Sequence, residues 1–244
     1  MNIVSKLFAE EKVKFLHGFY INTSLRRNFT EKKEAVSRLI DDSNTNFDYF
    51  VLLIISTLIT TFGLLSNNGS IVIGGMLITP LLTSILALGL GFVTVSFKSL
   101  VRSSWAIIRS VTIVLFLSYL VSSYSGIETL QSSEILQRTE PSWFYVHIAL
   151  LSGLAATYCW AKPKLSATLP GVAVAVALLP PLCVVGIGLS QGDVAVMKGA
   201  FDMFLVNFVG IVVSSVLVFS LLGFQRMKNV ENKEIEIVEN SVMS

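Results

Sequence analysis

An enzyme needs a nucleophile with a base, a carboxylate pair or a set of metal ligands within reach of one another. The apolar stretches of this 244-residue chain hold almost none of these. What they hold suits binding. Lys98, Arg102 and Arg109 recur four and seven apart, so they share one face of a helix. Such a face either anchors a membrane helix through snorkelling cations or meets an anionic substrate at Arg109, the deepest of the three. Asp202 with Asn207 is a candidate cation pair, against the plainer role of Asp202 as a solvated loop or cap residue. His147 reads as a polar interface residue or a proton site. The third group is hydroxyls, amides and flexible backbone: Asn67, Asn68, Gly74, Gly75, Thr79, Pro80 and Thr83, then Pro180, Pro181 and Gly186. Together with carbonyls released near the prolines, they could replace the hydration shell of an ion or small polar solute. No catalytic residue, metal site or cofactor is expected.

These residues lie in stretches that must cross a membrane. Apolar residues make up 53% of the chain and charged ones 14%, below the quarter or so usual in soluble domains. The net charge of +2 gives no reason to expect nucleic acid. Cys159 and Cys183 sit in apolar runs and read as small buried hydrophobes. From Tyr49 to Phe97 there is no charge at all, roughly twice the length that one bilayer crossing needs. Six spans are expected: Phe47–Leu65, Ser70–Thr94, Ile107–Ser125, Ser142–Ala161, Leu165–Leu189 and Phe204–Leu222. With the N-terminus inside, sixteen Lys and Arg fall on the cytoplasmic side and two, Arg138 and Lys198, outside. That asymmetry predicts a plasma-membrane protein with both termini cytoplasmic.

Around the spans, residues 1–46 form a cytoplasmic segment. It has one helix near Ile3–Tyr20 and another from Thr30 whose apolar face is Ala35, Val36, Leu39 and Ile40. The first membrane unit covers 47–125, the outer loop 126–141, the second unit 142–223, and the tail 224–244 reads as a mobile end. Sliding the chain by about a hundred residues lays Met76–Leu82 on Val176–Leu182, with Pro80 on Pro180. Each half thus has three spans with a Gly/Pro-rich one in the centre. An odd number per half forces the halves into opposite orientations, the pattern of inverted repeats with interrupted helices in secondary transporters. The fold class is therefore an all-α integral membrane protein built from two inverted three-helix repeats. Pro80, Pro180 and Pro181 are each expected to remove an intrahelical hydrogen bond. Gly210 and Ser214, four apart, would serve either a homo-oligomer or packing within one chain.

The run from Asn46 to Leu65, then Ile71–Leu81 and Ala177–Leu189, resembles the prokaryotic family called domain of unknown function 389, over about residues 30 to 225. The chain departs from that pattern at Gly75, where Ala is expected, and at Thr83–Ser84, where a Gly-Pro pair is expected. The resemblance implies a polytopic membrane protein and supplies no activity. The expected function is a transporter or channel for a small polar solute or ion. The alternative is a non-transporting scaffold or sensor acting through the N-terminal segment. The lipid bilayer is the one partner expected outright.

Overall fold

The structure is a computed structural model, and it describes residues 29–126, 132–140, 142–162, 165 and 177–243. The expected helix at Ile3–Tyr20 and the first half of the expected span Leu165–Leu189 lie outside those residues. All regular structure described is helical: α1 (29–42), α2 (Phe47–Leu65), α3 (Gly69–Ile78), α4 (Leu81–Thr94), α5 (Phe97–Ser125), α6 (Ser133–Leu136), α7 (Trp143–Ala161), α8 (Leu179–Gln191), α9 (Val194–Leu221) and α10 (Lys228–Met243), with a 3₁₀ turn at Phe224–Met227. Among the described residues α2, α5, α7 and α9 are long and apolar enough to cross a membrane. The pair α3–α4, bent by 50° at its break, makes a fifth when taken as one span. This is a membrane protein by length and composition.

The helices are packed inside out relative to a soluble bundle. On α5 the buried positions include Ser99, Ser103, Ala106, Ser110, Ser118 and Ser122, while Ile108, Phe116 and Leu120 are exposed. On α2 Ser56, Thr57, Thr60 and Thr61 are buried and Leu52, Ile55 and Phe62 face outward. In lipid, large apolar side chains gain nothing by turning inward, whereas small residues let backbones approach and hydroxyls find partners. Gly75 shows how close that approach is: a Cβ there would lie 2.9 Å from the Ser56 carbonyl and closer still to the Thr60 hydroxyl. Gly210 and Ser214, candidates for self-association, meet α7 instead, at Ala149 and the Leu150 carbonyl.

The two expected spans that began at Ile107 and Phe204 start earlier, and for one reason. Each is entered by the same device, a left-handed residue followed by a side-chain cap. Val95 (φ 52°) ends α4, and Ser96 Oγ then accepts from Ser99 N at the start of α5. Gly192 (φ 71°) ends α8, and Asp193 then accepts from Ala195 N and Val196 N at the start of α9. Cap chemistry sets a helix start regardless of the charges that follow, so Lys98 and Lys198 sit inside helices that outrun the apolar layer. Shifting by 97 residues carries Val95 to Gly192, Ser96 to Asp193, Gly89 to Gly186 and Ser118 to Ser215. The contacts obey the same shift: Gly89 packs on Ser215 of α9, and Gly186 packs on Ser118 of α5. This shift differs from the one of about a hundred residues that lays Pro80 on Pro180, and sets Pro80 against Ala177.

Helix directions follow from what the ends touch. At one end of the bundle, α1 and α10 form a collar. Arg38 donates to the Trp160 carbonyl at the end of α7 (3.0 Å), and Lys32 reaches the Gly223 carbonyl just after α9 (3.3 Å). Arg102, near the start of α5, donates to the Ile40 carbonyl (3.1 Å). The opposite end holds α6, where Asn67 Oδ1 accepts from Ser133 Oγ and Glu134 N, each at 3.1 Å. There too Ser190 of α8 bonds Ser122 of α5 (2.6 Å). So α5 leaves the collar while α7 and α9 run toward it. The collar also corrects the reading of the tail as mobile: α10 is a docked helix whose Ile235 and Glu231 are fully buried. On α1 the buried face is Ala35, Val36, Leu39 and Ile40.

Candidate functional site

The bundle contains one described interruption, between α3 and α4, and polar groups gather there and at the start of α8. At the first, α3 stops at Thr79 (ψ 131°) and α4 begins after Pro80. Pro80 therefore stands between helices and removes no intrahelical bond, contrary to the expectation. The Pro80 carbonyl accepts from Thr83 Oγ1 (2.8 Å), whose hydroxyl also lies 3.1 Å from the Asp42 carbonyl. Behind the break, Tyr49 OH lies 3.0 Å from Ser84 Oγ and 2.9 Å from Ser110 Oγ, and Ser110 Oγ donates to the Ala106 carbonyl (2.8 Å). Each hydroxyl has one proton, which fixes the direction: Ser84 donates to Tyr49, Tyr49 to Ser110, Ser110 to the backbone. The chain ties α2, α4 and α5 together at the break. Two further hydroxyls near it, Thr60 Oγ1 and Thr79 Oγ1, are buried without a hydrogen-bond partner among the described residues. Buried hydroxyls are rarely left so unless a water or ligand completes them.

At the start of α8 Ala177 takes φ 42°, costly for a residue with a Cβ, and the helix begins at Leu179. Asn207 of α9, 4% exposed, donates its amide to the Ala177 carbonyl (3.1 Å). The 97-residue shift maps Ser110 onto Asn207, so α5 and α9 carry an inward polar side chain at corresponding positions. Pro180 and Pro181 fall in the first turn of α8 and are buried. First-turn N–H groups have no acceptor in their own helix, so a proline there costs no bond. The expectation that these two prolines break a helix is corrected: they start one.

The other expected site residues are distributed away from these two places. Asn67 and Asn68 are exposed at the α6 end, Asn68 as the cap of α3, accepting from Ser70 N and Ile71 N. Gly74 has open space around it, whereas Gly75 and Gly186 are close helix contacts. Asp202 is half-buried, five residues before Asn207, which is about 140° round a helix. Asn207 points inward to Ala177, so the pair does not converge on one cation. Arg109 is on the outer face of α5, over the Trp105 ring at 5.7 Å. Exposed His147 has Nδ1 2.7 Å from the Trp143 carbonyl. Tyr49 and Ser110 were not among the candidates. The signal that could have found Ser110 is the stripe of serines at helical spacing on an otherwise lipid-suited helix.

One buried carboxylate sits in the collar. Glu231 of α10 accepts from Thr94 Oγ1 at the end of α4. Burial pushes its carboxyl above the usual range, against the pull of the Ser99 and Thr94 hydroxyls and of Lys228. Nearby Asp42 is raised by burial too, with Arg38 opposing.

Comparison with known proteins places this bundle. A family described as domain of unknown function (DUF389) matches residues 76–213. The chain belongs to that family. An uncharacterised protein of Methanocaldococcus jannaschii is 30% identical to this DUF389 protein over 202 residues, which is 79% of this chain and 62% of that relative. The chain thus spans under two thirds of the relative's length. No solved structure matches. The matched region of this DUF389 protein runs from the last turn of α3 into α9, so it contains the Thr79–Pro80 break, the start of α8, Ser84, Ser110 and Asn207.

Proposed function

We propose that this protein is a transporter or channel for a small polar solute or ion, built from two inverted three-span units that meet at interrupted central helices. The observation that carries this reading is the break at Thr79–Pro80 together with the left-handed Ala177 that precedes α8, each approached by a polar side chain of the next long helix. Non-helical backbone at membrane depth is tolerated where it is buried in protein or lines a wet cavity. Unpartnered Thr60 and Thr79 hydroxyls favour the second use at the Thr79–Pro80 break. The opposed directions of α5 and α9, and the reciprocal contacts Gly89–Ser215 and Gly186–Ser118, support the inverted relation. The collar carries Lys32, Arg38, Lys98 and Arg102, which favours placing it, and both termini, on the cytoplasmic side of a prokaryotic plasma membrane.

The test is flux in sealed vesicles of the purified chain across a panel of ions and small polar solutes. Protein-dependent flux of at least one solute is expected, reduced several-fold by Thr79→Val and by Asn207→Leu. Absence of flux across a broad panel, with cells indifferent to both substitutions, would sink the proposal. One observation favours the scaffold or sensor reading: α1 is tied to α7 through Arg38, which donates to the Trp160 carbonyl and lies 5.0 Å from the Trp160 ring centroid. A partner gripping the N-terminal segment would therefore pull on a membrane helix. That reading expects deletion of residues 1–28 to abolish a phenotype that Thr79→Val leaves untouched.

A further inference from the structure

The outer face of α5 at the collar end is more than an anchor. A groove of about 460 Å³ lies there, its lining including Lys98, Arg102, Trp105, Arg109 and Glu239. It continues into a second groove of about 280 Å³ that shares Trp105 and Arg109 and runs on past Phe50, Ile108 and Ile113. One end of this continuous hollow is cationic and the other apolar. Lys98 is matched by Glu239 (2.9 Å). Arg102 and Arg109 form no ion pair among the described residues, although Glu239 and Asp41 lie close enough to Arg102 to interact with it at longer range. Arg102 uses Nη2 on the Ile40 carbonyl, and its Nη1 has no hydrogen-bond partner among the described residues.

Depth gives these groups a meaning. Counting back the ~30 Å apolar layer from the far end of α5 takes about 20 residues and reaches the turn holding Trp105. Trp is the side chain that favours that boundary. Arg102 then stands about one turn outside the apolar layer and Arg109 about one turn within it. The two guanidiniums bracket the edge of the apolar layer, Arg102 at headgroup depth and Arg109 able to snorkel outward to the phosphates.

We propose that this hollow is a binding site for an anionic phospholipid of the surrounding leaflet, with the phosphate between Arg102 and Arg109 and an acyl chain along Ile108 and Ile113. A soluble phosphate would match only the cationic end. Charge complementarity and the apolar continuation both favour the amphiphile. The site is separate from the proposed path of a transported solute, because Trp105 and Arg109 face outward from α5 while Ser110 faces inward to the Thr79–Pro80 break.

The test uses the full chain in phosphatidylcholine vesicles, with brominated lipids as contact quenchers of Trp fluorescence. The Trp105 component is the part lost in Trp105→Phe. Two cations at the leaflet surface correspond to about tenfold to thirtyfold local enrichment of an anionic lipid. Brominated phosphatidylglycerol should therefore quench that component at a mole fraction about tenfold lower than brominated phosphatidylcholine. In Arg102→Gln/Arg109→Gln the two curves should coincide, while quenching by brominated phosphatidylcholine stays as before, showing Trp105 still at the interface. Equal quenching by the two lipids in the unsubstituted chain overturns the proposal, and so does a preference that survives the double substitution. Release of the brominated lipid by millimolar glycerol phosphate also overturns it, in favour of a soluble-phosphate site.

Discussion

Replacing Gly186 by Ala should destabilise the bundle more than replacing Gly89, and only the second should be rescuable. A Cβ on Gly186 would lie 2.7 Å from Ser118 Cβ, 2.8 Å from the Leu115 carbonyl oxygen and 3.1 Å from Tyr119 N. Carbon atoms in good contact sit about 3.5–4.0 Å apart, so α8 must retreat from α5 by about 1 Å. Two of the three atoms are backbone and cannot rotate aside. A Cβ on Gly89 would meet Ser215 Oγ and, at 2.7 Å, Ser215 Cβ; the next atom is Ser215 C at 3.7 Å, an ordinary contact. Overpacking of this kind costs about 1–3 kcal/mol, offset in part by the better helix propensity of Ala. We expect about 2 kcal/mol for each single substitution, with Gly186→Ala the larger. Adding Ser215→Gly to Gly89→Ala should bring it to within about 0.5 kcal/mol of Ser215→Gly alone, a coupling typical of touching residues. Adding Ser118→Gly to Gly186→Ala should leave most of the loss. Gly74→Ala, with nothing within 4 Å, is the neutral control. Unfolding by SDS titration of mixed micelles, followed by Trp fluorescence, reads each difference. If Gly186→Ala behaves like Gly74→Ala, or if both pairs are rescued equally, the reciprocal close packing of α4 on α9 and α8 on α5 is wrong.

Asn207→Leu should cost only about 1 kcal/mol in the same titration, since hydrogen bonds within membrane bundles contribute little individually. A loss above about 3 kcal/mol would mean that Asn207 is a structural keystone, and a flux defect in that variant could not be read as a site effect. The docking of α10 should depend on pH through Glu231. Its carboxyl is raised by burial, so the docked form holds a proton that the undocked form releases. Docking is therefore firmest below the ordinary carboxylate range and weakens as pH climbs through the raised value. Amide exchange of residues 228–240 should accelerate beyond its intrinsic pH trend across that window. Glu231→Gln should remove the excess; an unchanged profile in that variant would show that Glu231 does not govern the docking.

Much of the architecture was open to reading from composition, because leaving water is a property of a segment. The uncharged run from Tyr49 to Phe97 has to cross and return, and the spacing of Ala35, Val36, Leu39 and Ile40 has to bury one face of α1. Hydropathy is silent on which face of a membrane helix meets protein, since lipid and protein interior are equally apolar. That is why the Tyr49–Ser84–Ser110 chain and the inward serines of α5 emerged only from packing. Prolines mislead for a related reason. A proline marks a break when it falls inside a helix and marks nothing when it falls in the first turn, and only the caps around Leu178 and Pro80 tell which applies. Sequence by itself determined that this chain is a membrane bundle with a weakened centre. The tertiary structure decided which backbone groups at that centre are answered by neighbours and which are left open, since a hydrogen bond between helices depends on register and approach that no single segment encodes.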